Sequence, residues 1–211
     1  SSSSRGLGDV YKRQVLMLAG IPAVVMILSS IMKIERANIF QLAGLILSII
    51  GVGTIISNAD IQKILSLNFN KGDIWMLVCV LSWSLYSTLL KKKKFELSQF
   101  TFIQLMVTVG IIFLIPQYFY EQSVGLEIPI NKFFIAILLY VVIFPAIAAY
   151  YCWQKAIELI GPNRSAIFVQ LMPLFSALMA ILIFKEKFQL YHFIGGTFIV
   201  TGIYLSNRKT Q

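Results

Sequence analysis

The chain has 211 residues but only nine acidic side chains, one histidine and two cysteines. Cys79 and Cys152 both lie inside apolar runs. Neither a disulfide framework nor a metal site of spaced Cys and His ligands can be built from them, so no metal is expected and each reads as a small packing or lipid-facing residue. No glycine-rich loop followed by Lys is present to cradle phosphates, which leaves ATP-driven chemistry without a site, and no cofactor is expected. Charged residues make up 13% of the chain against 58% hydrophobic, and mean hydropathy is +0.80. That balance excludes a soluble globular domain. The net charge of +9 comes from 18 Lys and Arg residues, but these sit in short clusters between apolar runs. No basic patch interleaves with polar surface, so nucleic acid is not an expected partner; anionic lipid is.

The opening 1–14 carries four serines, two glycines and three basic residues, then gives way abruptly to apolar sequence. Its end, Asp9-Val10-Tyr11-Lys12-Arg13-Gln14, resembles the translation of a transposon end used to build sequencing libraries. This stretch is expected to be a cloning or assembly scar and is set aside from fold reasoning. On that expectation the chain is a fragment without its natural N-terminus.

From Val15 onward seven apolar stretches approach or reach the roughly 20 residues that cross a bilayer. They run over 15–32, 39–57, 74–90, 100–118, 133–153, 165–184 and 191–206, the last with room to reach back through Phe188, and none contains Asp, Glu, Lys or Arg. Runs this long without period-two alternation exclude a barrel. The expected fold class is all-α, a polytopic membrane helix bundle with seven transmembrane helices. Alternate loops place ten basic residues on one side (Lys33, Arg36, Lys91 to Lys94, Lys155, Arg164, Arg208, Lys209) and five on the other (Lys63, Lys71, Lys132, Lys185, Lys187). The richer side, with the C-terminus, is expected in the cytoplasm.

Sliding the chain against itself by 151 residues aligns its first two helices with its last two without a gap. Pro22 falls on Pro173, Glu35 on Glu186, Arg36 on Lys187, Gly44 on Gly195 and Gly51 on Gly202. Three helices lie between the copies, so the period is five. An odd period makes the copies cross the membrane in opposite directions, the inverted-topology arrangement of secondary transporters.

These residues also carry a family resemblance. The stretch from Gly72 to Asn207 resembles one complete EamA repeat of the drug/metabolite transporter superfamily. It shows Gly72-Asp73, the helix from Leu81 to Ser87, the segment from Ala149 to Ala156, Gly161-Pro162-Asn163-Arg164-Ser165-Ala166, Pro173 to Leu178, Glu186 and Gly195. Ile21 to Ser57 resembles the last two helices of a preceding repeat. The resemblance implies ten helices in two five-helix repeats, of which three would lie upstream. It also implies this division: 15–57 closing a first repeat, 58–71 linking the repeats, 72–207 a second repeat and 208–211 a cytoplasmic tail.

No helix offers an ionisable residue as a transport group, so the candidates are polar and aromatic. Trp83 and Tyr86 share a helical face backed by Ser82 and Ser87, suited to stacking and hydrogen-bonding an organic solute. Tyr140, Gln170 and Ser176 lie at comparable depth. The plainer reading is interfacial aromatics and hydroxyls bonded to their own helices. Pro22, Pro145 and Pro173 each remove a backbone hydrogen bond and are expected to shape a hinge or cavity wall. Gly44 and Gly51, with Ser48 between them, and Gly195 and Gly202 read as packing faces. Glu35 and Glu186 are expected to cap or pair at helix ends, and His192 to be interfacial. The leading expectation is a secondary transporter, a permease or exporter of small metabolites such as amino acids, with catalytic residues none. Its partners are a small-molecule solute and the bilayer, and a homodimer is a further candidate. The alternative is a seven-helix receptor or scaffold, which predicts no inverted repeat. A membrane-embedded enzyme would need an intramembrane ligand or acid–base cluster that the runs lack.

Overall fold

The computed structural model describes Gln14 and residues 17–57, 71–92, 97–125, 130–185 and 187–208. All regular structure among them is helical, in seven successive helices that fall on the seven apolar runs. They are α1 (Ile21–Ile31), α2 (Ile39–Ser57), α3 (Lys71–Lys92), α4 (Gln99–Ser123), α5 (Lys132–Ile160), α6 and α7 (Leu190–Asn207). Helix α6 has three pieces: Pro162–Ile167, a 3-10 turn at Phe168–Gln170, and Leu171–Phe184. Five of these, α2, α3, α4, α5 and α6 over Pro162–Ile183, are long and apolar enough to cross a membrane.

Three expected boundaries are corrected. The run over 15–32 is not one continuous helix: a turn at Ala19–Gly20 interrupts it, and α1 proper has 11 residues. Gly20 is a poor helix residue and Pro22, in the first turn of α1, supplies no N–H, so the break falls where the ladder is weakest. Helix α7 does not reach back to Phe188. Gln189 N–H donates to His192 Nδ1 at 3.1 Å, half of a capping box that fixes the start at Leu190. Lys71 belongs to α3 rather than to the 58–71 connection, of which 58–70 lie outside the described residues, as does Glu186.

Helices α1, α2, α3, α6 and α7 form one compact unit; α4 and α5 through Glu158 form a second. Large apolar side chains cover the outside, with Trp75 72%, Phe113 78% and Tyr204 74% exposed, while Ser29, Ser48, Ser84 and Ser206 are fully buried. A water-soluble fold does not tolerate so much exposed apolar surface; a bundle solvated by lipid requires it.

In the first unit, Ala19, Met26, Leu45, Val52, Ile167 and Ile199 belong to one core cluster, and Ile21, Val25, Val80 and Ala166 to another against which Trp83 packs. The tightest contact joins α2 to α7. Gly44 meets Gly202 and Ser206, and Gly51 meets Gly195 and Ile199, so the helices run antiparallel. A Cβ added at Gly51 would stand 2.6 Å from the Gly195 oxygen, and one at Gly195 would stand 2.7 Å from the Gly51 oxygen. Only glycine permits that approach.

In the second unit, Gln99 Nε2 donates to Glu158 Oε2 at 2.7 Å, Lys155 pairs with Glu158 at 3.2 Å, and Phe100 stacks on Tyr151 at 5.1 Å. These contacts tie the start of α4 to the end of α5. Pro145 sits in a wide turn of π type, Val142–Ala148, inside α5. The missing proline N–H and the ring's bulk against the preceding turn account for that local widening.

Candidate functional site

The closest contacts that the glycines of α2 and α7 make with the opposing helix have images under the 151-residue shift. Gly44 against Ser206 becomes Ile55 against Gly195, and Gly51 against Ile199 becomes Ser48 against Gly202. An interface in which i meets the image of j, and j the image of i, is what a two-fold axis produces. Between antiparallel helices that axis is perpendicular to both, hence in the plane of a membrane they cross.

A residue that touches its own image lies on such an axis. Gln170 is the image of Ala19, and Gln170 Nε2 donates to the Ala19 carbonyl at 3.0 Å in a fully buried setting. At this place both copies depart from regular helix. The turn at 19–20 precedes Pro22, and the 3-10 turn at 168–170 precedes Pro173. Proline at these positions removes the N–H that would bond the Leu18 and Val169 carbonyls within a regular helix, and at the second of them the Leu171 N–H reaches Val169 O instead. Gln170 Oε1 is also buried without a hydrogen-bond partner.

A cavity of about 90 Å³ opens beside this pair, lined by Leu18, Ala19, Val169, Met172, Pro173 and Ser176, with Gln14 at its edge. It has room for a few water molecules and is well below the roughly 300 Å³ of a small-molecule site. Pro173 and Ser176 thus stand at a cavity wall, while Gln170 is engaged with Ala19. Pro22 is fully buried at the start of α1.

The remaining candidates are dispersed. Trp83 and Tyr86 hold their rings 5.5 Å apart, tilted by 52°, and both are half-buried on α3. Ser84 and Ser87 are fully buried, whereas Ser82 lies on the exposed face of α3. Tyr140 is 59% exposed in the second unit, its ring 5.2 Å from Phe144, and Pro145 is exposed as well. Cys79 and Cys152 are free and exposed. Among the described residues no three His, Cys, Asp or Glu side chains are placed to hold a metal ion.

A second polar cluster joins the end of α1 to the start of α6. Lys33 takes the left-handed conformation (φ 55°), and Ile34 N–H returns to Ser29 O while Lys33 N–H returns to Ser30 O. This Schellman closure holds Glu35, whose own N–H reaches Ser29 O at 3.4 Å. The Glu35 carboxylate crosses to α6, where Asn163 N–H donates to Oε2 at 3.3 Å. Gly161 has φ 84° and ψ 164°, a backbone conformation nearly confined to glycine, and a Cβ there would stand 2.7 Å from Glu35 Oε2. Burial pushes the Glu35 carboxyl above its ordinary value; the Asn163 hydrogen bond and the charges of Arg164 and Lys91 oppose that rise. The sequence places Glu35 at a helix end without identifying its partner. The signal was Gly161-Pro162, a glycine ahead of a helix-starting proline.

The EamA-like transporter family matches residues 70–208. An uncharacterized transporter of Archaeoglobus fulgidus is 32% identical over 195 residues, 92% of this chain and 66% of that protein. The uncharacterized transporters YyaM and YetK of Bacillus subtilis are 23% and 22% identical, over 86% and 93% of this chain and 59% of each relative. The chain therefore spans no more than 66% of the length of these relatives. With the family matched over most of the chain and five helices among the described residues long and apolar enough to cross a membrane, this multi-pass membrane protein belongs to the EamA-like transporter family.

Proposed function

We propose that the chain is the greater part of a secondary transporter that moves small organic metabolites, amino acids or related compounds, by alternating access. The observation that carries this reading is the set of contacts that maps onto itself under the 151-residue shift. Two broken helices meeting on a two-fold axis in the membrane plane give one site that either face can reach. In this reading 15–57 closes a first five-helix repeat and 72–207 is the second, ten helices in all. In this reading the protein lies in the cytoplasmic membrane, and the excess of basic residues in alternate loops supports a cytoplasmic C-terminus. Trp83 and Tyr86 supply a stacking face, and Gln170 Oε1, buried without a hydrogen-bond partner, together with the Ser176 hydroxyl supplies acceptors for ammonium or hydroxyl donors. The cavity must widen to take such a solute, which the proline-marked breaks in α1 and α6 allow. The protein carries its solute unchanged, in the company of lipid and as monomer or homodimer.

The reading is tested by flux. Reconstituted in proteoliposomes, the protein should exchange at least one member of a panel of labelled amino acids, amines and organic acids above protein-free vesicles. No flux for any member, with correctly folded protein in the bilayer, overturns it in favour of the receptor or scaffold.

A further inference from the structure

Among the described residues, the Glu35 carboxylate joins the two repeat-related helices α1 and α6. Its backbone is fixed to the C-terminal closure of α1, and its side chain lands on the first turn of α6. Gly161 is shaped to receive it, since any side chain there would displace the carboxylate. We infer that Glu35 is a proton-operated latch, which holds the end of α1 against the start of α6 when protonated and lets them part when ionised. This rests on the transporter reading for its purpose but not for its chemistry.

The sign follows from solvation. Landed, the carboxylate is half-buried and has one backbone donor, at the long distance of 3.3 Å. Withdrawn, it would be hydrated on the membrane surface. The charged groups around the landing are Arg164 in α6 and Lys91 at the end of α3, with Lys33 and Arg36 exposed on its own linker. Those cations favour the landed ion, but burial outweighs them, so the landed carboxyl sits above its ordinary value of 4.5. The landed state therefore binds the proton more tightly than the withdrawn state. Linkage then favours landing at low pH and withdrawal as pH rises through the landed value. A neutral carboxyl still accepts the Asn163 N–H through its carbonyl oxygen, so protonation does not cost the hydrogen bond.

The test is a spin-label distance in lipid nanodiscs. Labels go on Ile39→Cys and Leu159→Cys, both on exposed positions (70% and 69%), in a Cys79→Ser/Cys152→Ser background. The expected result is a short-distance population that dominates near pH 4.5 and declines towards pH 8. Glu35→Gln, neutral at every pH, should keep the short distance throughout. Arg164→Gln, which removes a charge favouring the landed ion, should move the transition to higher pH, and it decides the matter if Glu35→Gln fails to fold. A distance distribution independent of pH in the parent, a Glu35→Gln variant that titrates like the parent, or an Arg164→Gln shift to lower pH would each overturn the latch. No solute is present, so a lost latch and a lost flux are separate results.

Discussion

Gln170 and Ala19 are joined by a 3.0 Å hydrogen bond across 151 residues of chain, the same interval that superposes Pro22 on Pro173 and Gly44 on Gly195. The bond therefore ties a residue to its own repeat image, at the point where both helices break ahead of their prolines. Replacing Gln170 with Leu removes the donor and leaves the Ala19 carbonyl unpaired, at a cost of about 1 kcal/mol. Thermal unfolding in detergent should show a modestly lowered Tm, and Gln170→Glu a larger drop, because an ionised carboxylate would face a carbonyl in a buried setting. An unchanged Tm in both would show that the pair contributes nothing to holding the axis.

The α2–α7 contact should be intolerant of side chains in proportion to the space lost. Gly51→Ala and Gly195→Ala each put a Cβ against an opposing carbonyl and should cost about 1–3 kcal/mol despite alanine's better helix propensity. Gly110 in α4 has open space around its missing Cβ, so Gly110→Ala should be neutral or slightly stabilising. Equal effects at Gly51 and Gly110, measured by Tm, would remove the packing argument.

Gly161 and Gly125 separate backbone strain from steric contact. Both have positive φ (84° and 81°), but a Cβ at Gly125 meets nothing while one at Gly161 meets Glu35. Gly125→Ala should therefore lose only the strain, about 1–2 kcal/mol. Gly161→Ala should lose more, and Glu35→Ala should recover part of the excess in the double variant. Additive losses in that cycle would mean that Glu35 does not press on Gly161.

Solute contact, if it is made on α3, should follow the exposure pattern of that helix. Once a transported solute is in hand, Tyr86→Phe should raise its KM several-fold with the maximal rate little changed. Ser82→Ala, on the exposed face, should change neither. An effect at Ser82 equal to that at Tyr86 would assign the path to another helix.

Composition and periodicity made the membrane class, the seven helical runs and the 151-residue repeat legible, because each depends only on how far apolar and punctuating residues recur along the chain. Gly44, Gly51, Gly195 and Gly202 could be read as packing residues for the same reason. Which glycine meets which could not, since Gly44 faces Gly202 rather than its own image Gly195, and that choice belongs to the antiparallel crossing. Pro22 marked a weak point in the first apolar run from its chemistry alone, but that the helix breaks there, at Ala19–Gly20, was not legible, because hydropathy runs unbroken through the turn. Glu35 could be placed at a helix end from its neighbours in sequence. Its partner, Gly161–Asn163, lies more than 120 residues away. Local sequence determined what each helix could be; only the tertiary structure decided which carbonyl, carboxylate and glycine meet, because those contacts depend on how distant helices cross.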